Sequence, residues 1–331
     1  MLTLGEIEEA SGIVHRHMPP TPQYAWPLLG QRFGAEIVVK HENHTPVGAF
    51  KLRGGIVYVE RLKRERPQVK GIVSATRGNH GQSLALAGRL FGVPVAIVAP
   101  HGNSVEKNAA MRGLGAELIE VGKDFDDAKE AASRLAEERG YEFVPSFAPD
   151  LVRGVATYAL ELFRAQGDID TLYAPIGLGS GICGLIAVRD ALQLRTRIVG
   201  VVPQAANAYR LSFEAGRVVP VNSLATFADG IAVRVPDATA LAMIRAGAER
   251  IVEVSEDEIA SAIRILHEDT HNMAEGAGAA ALAGLAKDAG NTDAGSRERA
   301  GGPRLKLAVI LSGGNIDRAL AASVLSGRTP Q

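Results

Sequence analysis

Short aliphatic and β-branched runs recur along the chain, each bounded by glycine, proline or polar residues. They are Glu36-Ile37-Val38-Val39-Lys40, Gly71-Ile72-Val73-Ser74, Val95-Ala96-Ile97-Val98, Leu118-Ile119-Glu120-Val121, Leu172-Tyr173-Ala174-Pro175-Ile176, Arg197-Ile198-Val199-Gly200-Val201-Val202 and Leu307-Ala308-Val309-Ile310-Leu311. Runs that are apolar throughout, rather than alternating, are the pattern of parallel strands buried on both faces. Most are separated by stretches of helical spacing, such as Asp124 to Arg139, which places Phe125, Ala128, Ala132 and Leu135 on one face. Strand-helix alternation predicts an α/β architecture with right-handed crossovers. The tight strand-helix units between about Gly71 and Phe147 predict a small lobe set into a larger one. No internal repeat is visible. Lys287 to Arg304 has neither apolar periodicity nor strand content, and is expected to be an exposed loop.

Composition narrows the partners. Lys and Arg number 36 against 37 for Asp and Glu, so no long-range field gathers a polyanion, and nucleic acid and membrane surfaces are not expected partners. The single cysteine, Cys183, has no intramolecular partner for a disulfide, which fits a reducing compartment. The amino terminus is acidic with no apolar run of signal length, and no stretch reaches the roughly 18 apolar residues of a membrane span. The expectation is a cytoplasmic protein.

Glycine-rich or polar loops follow several of the strands. The first, Asn43 to Gly55, carries Lys51 where a strand hands over to a helix, the place at which a parallel sheet opens its ligand crevice. Taken singly, Lys51 reads more readily as a solvated helix-start lysine. The second, Ser74-Ala75-Thr76-Arg77-Gly78-Asn79-His80-Gly81-Gln82-Ser83, runs into an apolar-faced helix. Its free helix-start amides make a cradle for a carboxylate or phosphate; the plainer alternative is that Asn79 and Ser83 only cap the helix. The third, Pro175 to Gly184, contains Gly177-Leu178-Gly179-Ser180-Gly181 and is a natural phosphate site. Residues Gly179 to Gly184 also spell G-x-G-x-x-G. The next strand, however, ends Val202-Pro203-Gln204, with no acidic residue about 20 positions on to hold a ribose, which argues against a dinucleotide. The fourth, Leu311-Ser312-Gly313-Gly314-Asn315, puts a hydroxyl at a strand end. A rival signal is His267-Glu268-Asp269-Thr270-His271, which satisfies H-E-x-x-H on an expected helix. It lacks a third ligand at suitable spacing, so zinc hydrolysis stands as the reading outside this fold.

In order and spacing these four loops resemble fold-type II pyridoxal-phosphate enzymes, specifically the threonine dehydratase and serine racemase family. The resemblance runs from Thr21-Pro22 to Asn315. It implies a tryptophan synthase β-subunit-like fold with two three-layer α/β/α lobes and mostly parallel sheets. A large cofactor-binding domain would comprise residues 1–70 and 148–331, and a small mobile substrate domain residues 71–147. Pyridoxal 5'-phosphate is the implied cofactor, with Lys51 as its Schiff-base lysine and catalytic base and Phe50 beside it under the ring. Asn79 is expected on the ring hydroxyl, Gly177, Leu178, Gly179, Ser180 and Gly181 on the phosphate, and Ser312 on the pyridine nitrogen. Thr76, Arg77, Gly78, Asn79 and His80 are expected to receive the substrate carboxylate, and Glu275 matches a family position facing the cofactor. The implied activity is an ammonia-lyase that converts a 3-hydroxy amino acid such as L-threonine or L-serine to a 2-oxo acid and ammonia, in a homodimer.

Several departures shape that expectation. Arg77 stands where racemases of the family place a serine base, and arginine stays protonated, so racemisation is disfavoured. The family's divalent-cation ligands are replaced by Val202 and Ala208, so no metal is expected there. Leu178 and Ser180 interrupt the usual run of glycines. The chain stops soon after Ser312, leaving no room for the regulatory domain of biosynthetic threonine dehydratases. Ala49 and Arg77 open the alternative of a bulkier or acidic substrate, such as 3-phenylserine or 3-hydroxyaspartate.

Overall fold

The computed structural model describes residues 2–222, 224–291 and 305–330. In chain order its strands are β1 (Gln23–Ala25), β2 (Glu36–His41), β3 (Ile72–Ala75), β4 (Val95–Ala99), β5 (Glu117–Glu120), β6 (Glu142–Phe143), β7 (Thr171–Pro175), β8 (Arg197–Pro203), β9 (Arg250–Val254) and β10 (Lys306–Leu311). The helices are α1 (Leu4–His15), α2 (Pro27–Phe33), α3 (Lys51–Glu65), α4 (Asn79–Phe91), α5 (Val105–Gly113), α6 (Phe125–Arg139) and α7 (Pro149–Ala165). They continue with α8 (Ser180–Ala191), α9 (Ala208–Ala215), α10 (Ala238–Gly247), α11 (Glu256–Thr270), α12 (Gly276–Asn291) and α13 (Arg318–Leu325).

A six-stranded sheet runs β1-β2-β10-β7-β8-β9, and a four-stranded sheet runs β5-β4-β3-β6. Every pairing is parallel except that of β1 with β2. The smaller sheet takes all its strands from one continuous stretch, whereas the larger draws on chain both before and after it.

The strand sequences are apolar throughout because helices cover both faces. In β2, Val38 enters the core on one side of the large sheet, and Ile37 and Val39 enter the core on the other. In β10, Ala308 and Ile310 oppose Leu307, Val309 and Leu311 in the same way. The small sheet repeats the arrangement, with Ile72 on one face and Val73 and Ala75 on the other. Helix α6 starts where Asp124 accepts the amides of Asp126 and Asp127, both at 3.0 Å, and stops at Gly140, whose φ of 63° is left-handed. Its buried stripe is Ala128, Ala132 and Ala136, small enough to let the helix lie close on the sheet.

The segment from Lys287 departs from the expected loop. Residues 287–291 continue α12; the remainder of that stretch, 292–304, lies outside the described residues. Among the described residues, no helix is long and apolar enough to cross a membrane.

Candidate active site

The loops singled out from sequence converge at the carboxyl ends of their strands, where parallel sheets gather ligands. Lys51 is the first residue of α3. Its amine lies 5.1 Å from the centroid of the Phe50 ring, and a Cβ built on Gly181 would stand 3.7 Å from that same ring. The amine and the glycine turn therefore both lie close to a single phenyl group. Phe50 is held edge-on to Tyr158, and its amide donates to the carbonyl of Ser312 at 3.0 Å, which joins the first loop to the fourth. The Ser83 hydroxyl donates to the Lys51 carbonyl at 2.7 Å, tying the second loop to the same turn.

The Gly177–Gly181 turn is built with its amides available. Tyr209 donates to the carbonyl of Leu178 at 2.9 Å and Tyr158 to that of Gly181 at 3.0 Å. Helix α8 begins at Ser180 with no side chain capping its first turn. A helix start with free amides is an anion site. The glycines have steric work here: Gly179 has φ of 103°, and a Cβ on Gly177 would come within 2.7 Å of the Gly230 carbonyl. Leu178 and Ser180 sit in this turn without filling it, the Ser180 side chain being buried.

Asn79, the first residue of α4, does not cap it; the cap position is Gly78. Its Nδ2 donates to Glu275 Oε1 at 2.6 Å, and its Oδ1 accepts from Asn315 at 2.8 Å. The helix-capping alternative for Asn79 and Ser83 is thereby replaced: both side chains bond across the site. Glu275 lies in the connection before α12, fully enclosed, and its Oε2 has no hydrogen-bond partner among the described residues. Burial pushes its carboxyl up to about 7, with Lys107, Asn79 and Lys51 opposing the shift. Burial pulls the Lys51 amine down to about 8 against the attraction of Glu275. His80 is driven to about 3 by burial and then by Lys51, so its ring is neutral.

A cavity of about 210 Å³ opens beside this cluster, lined in part by Arg77, Lys107, Asp229, Glu275, Asn315 and Asp317. Arg77 is exposed, and its guanidinium makes no ion pair among the described residues. Thr76 is buried and its hydroxyl accepts the Gly78 amide at 3.2 Å. Ser312 is buried at the end of β10, with its hydroxyl 3.4 Å from the Ala277 carbonyl.

The rival zinc motif is placed differently from the sequence expectation. Helix α11 ends at Thr270, and His271 takes φ of 54° at its cap, so the two histidines are not one turn apart on a continuous helix. Glu268 and Asp269 pair instead with Arg32. Among the described residues no group of three His, Cys, Asp or Glu side chains is arranged to hold a metal.

The site fits a phosphorylated pyridine aldehyde: an amine of lowered pKa, a glycine cradle against the same phenyl ring, and an enclosed carboxyl oxygen without a hydrogen-bond partner among the described residues. A model of the pyridoxal-phosphate dependent enzymes matches residues 14–298. The chain belongs to that family. Pyridoxal phosphate is therefore its cofactor. This pyridoxal-phosphate enzyme is 32% identical to L-threo-3-hydroxyaspartate ammonia-lyase of Saccharomyces cerevisiae, over 98% of this chain and 97% of the relative. It is 34% identical to L-threonine ammonia-lyase of Thermotoga maritima, over 96% of this chain and 76% of the relative. Among solved structures, the processed threonine deaminase isoform 2 of Solanum lycopersicum superposes with a TM-score of 0.88 at 31% identity, covering 98% of this chain and 92% of the other.

Sequence reasoning did not find Lys107, Asp229, Tyr158 or Tyr209. No local pattern marks them: they reach the site from α5, α7, α9 and the turn before α10.

Proposed function

We propose that this enzyme is an ammonia-lyase that removes water and then ammonia from a 3-hydroxy amino acid such as L-threonine or L-serine, leaving a 2-oxo acid. The observation that carries the reading is the meeting of the Lys51 amine, lowered to about 8, and the Gly177–Gly181 turn at the same Phe50 ring. The names of the yeast and Thermotoga relatives support the same reaction class.

Pyridoxal phosphate, when bound, supplies an electron sink for charge that develops at the substrate Cα. Lys51 would hold it covalently, and its free amine, with a pKa close to the working pH, is suited to take the Cα proton. The amides of Gly177 to Gly181 would hold the phosphate, Phe50 would lie beneath the ring, Asn79 would meet the ring hydroxyl, and Ser312 the pyridine nitrogen. A neutral hydroxyl at that nitrogen leaves the ring less electron-withdrawing than a carboxylate partner does, which favours prompt loss of the β-hydroxyl over transamination. Thr76, Arg77, Gly78, Asn79 and His80 form the turn whose amides would receive the substrate carboxylate. An arginine side chain is a poor base, so Arg77 at the position proposed for the second face of Cα argues against racemisation.

The test is a panel of L-threonine, L-serine, 3-hydroxyaspartate and 3-phenylserine scored for 2-oxo acid release, with chiral analysis of recovered substrate. Release from at least one of them, abolished in Lys51→Ala, is the expected result. Racemised substrate without 2-oxo acid, or full activity in Lys51→Ala, overturns the proposal. We also propose that residues 71–147 move as a substrate lobe against residues 1–70 and 148–331, in a cytoplasmic homodimer. Sedimentation reads the assembly, and a substrate-dependent change in small-angle scattering reads the motion.

A further inference from the structure

The start of α5 crosses from the small sheet to the far wall of the cavity. Lys107 Nζ lies 2.7 Å from Asp229 Oδ2, the Ser104 hydroxyl donates to Asp317 at 2.5 Å, and Glu106 accepts the Arg318 amide at 3.1 Å. The same stretch touches the Thr76–His80 turn from outside. Asn103 donates to the Arg77 carbonyl at 3.0 Å, and a Cβ on Gly78 would meet Lys107 Cδ at 2.7 Å. Only 11% of the Lys107 side chain is exposed, little for a residue that normally extends into water. Burial alone would lower its pKa, but Asp229 and Glu275 outweigh burial and hold the amine protonated.

We infer that Lys107 is a positioning residue for the substrate-carboxylate turn: its ion pair with Asp229 clamps the lysine stem against Gly78 and fixes the backbone amides of Thr76 to His80. This rests on the role proposed above for that turn. Within the turn itself, the Thr76 hydroxyl to Gly78 amide bond is the internal side-chain restraint. Without the Lys107 stem, Asn103 is left as the outer support. Small losses of alignment at a binding turn cost far more than the bond removed, since roughly 1 Å of misplacement can cost about a hundredfold.

The experiment uses holoenzyme and reads two quantities: the apparent Kd for glycine, from the change in cofactor absorbance without turnover, and KM for the best substrate of the panel. Lys107→Met and Asp229→Asn are each expected to raise both by about tenfold, with the double variant no worse than either single one and Lys107→Arg largely restored. The cofactor spectrum should keep its wild-type form, and every variant is read well below its own thermal midpoint, which separates positioning from general loss of structure. Asp229→Asn is the deciding arm. If Lys107 merely attracted the carboxylate, freeing it from Asp229 would tighten glycine binding, and that result, or an unchanged Kd, overturns the inference. Wild-type enzyme that binds glycine yet releases no 2-oxo acid from any panel member would instead defeat the proposed reaction and leave the positioning role standing.

Discussion

Replacing Arg53 by methionine tests whether a buried charge cluster anchors the helix that carries Lys51. Arg53 is fully buried on α3. Its guanidinium meets Glu42 at 2.7 and 3.0 Å, Glu161 at 2.6 and 2.9 Å, and the hydroxyls of Thr157 and Thr21 at 3.0 and 3.2 Å. Lys40 adds a bond of 2.6 Å to Glu161, so Lys40 and Arg53 together balance Glu42 and Glu161. Methionine keeps most of the stem but strands Glu42 with the Thr21 hydroxyl as its remaining side-chain partner. Removing one member of a buried pair costs about 3–5 kcal/mol, because the surviving charge stays desolvated. At roughly 2 °C per kcal/mol for a large domain, the thermal midpoint should fall by about 6–10 °C. The pH dependence has a definite sign. Burial would raise the Glu161 carboxyl, but Arg53 and Lys40 outweigh it and hold it at about 2 rather than 4.5. The unfolded chain therefore binds that proton more readily, and this part of the stability is full above 4.5 and lost as pH falls toward 2. In the variant the Glu161 carboxylate protonates more easily, so the deficit should be largest at neutral pH and narrow on acidification. Calorimetric melts across that range decide the matter. A midpoint within about 2 °C of wild type at neutral pH, or a deficit that widens in acid, refutes the reasoning.

Three further outcomes are expected. Gly177→Ala drives a methyl group to 2.7 Å from the Gly230 carbonyl and should weaken pyridoxal phosphate binding by about tenfold, or some 1.4 kcal/mol, in an absorbance titration of the apoprotein; unaltered affinity would exclude the turn as the cradle. Glu275, raised by burial from 4.5 to about 7, holds its proton more tightly folded than unfolded. Apoprotein stability should therefore decline as pH rises through that window, and urea melts of Glu275→Gln should lack this part of the slope. Because Val202 and Ala208, where the resemblance would lead one to expect cation ligands, are buried and apolar, a chelator should leave 2-oxo acid release unchanged; loss restored by zinc would bring His267 and His271 back into consideration.

Much of this arrangement can be traced to local sequence. A strand covered on both faces must be apolar at consecutive positions, so β2, β3, β4, β7, β8 and β10 announce themselves. Strands β1 and β6 span only three and two residues, too few for any period to show. The Thr76–His80 turn, Gly177–Gly181 and Ser312 were legible for a related reason: each follows an apolar run at once, whereas Lys51 stands ten residues after β2, at the start of α3. The charged partners were not legible in this way. Lys107 and Asp229 stand 122 positions apart, and Asn79 and Glu275 stand 196 apart. Nothing near Lys107 or Asp229 distinguishes them from surface charges until the chain has folded, and Asn79 and Glu275 were singled out without any sign that they would meet. Arg53 shows the same limit, since a helix position two residues after Lys51 gives no sign that Glu161 will meet it from α7.

The charged groups around Lys51 set how its amine behaves. Burial acts on Lys51 and Glu275 in opposite senses, lowering one to about 8 and raising the other to about 7. Each also opposes the other's shift, because the carboxylate favours the ammonium and the ammonium favours the carboxylate. One pKa unit corresponds to about 1.4 kcal/mol, so neither group is locked into a single charge state near neutral pH. A lysine alone in this enclosure would be neutral but starved of a compensating charge whenever it took up a proton. With Glu275 facing it, the site can accept and return a proton at the amine for little electrostatic cost. Lys107, held by Asp229, adds a permanent positive charge that keeps Glu275 from rising further. The same lysine proposed to brace the carboxylate turn thus also opposes the rise of the buried Glu275 carboxyl.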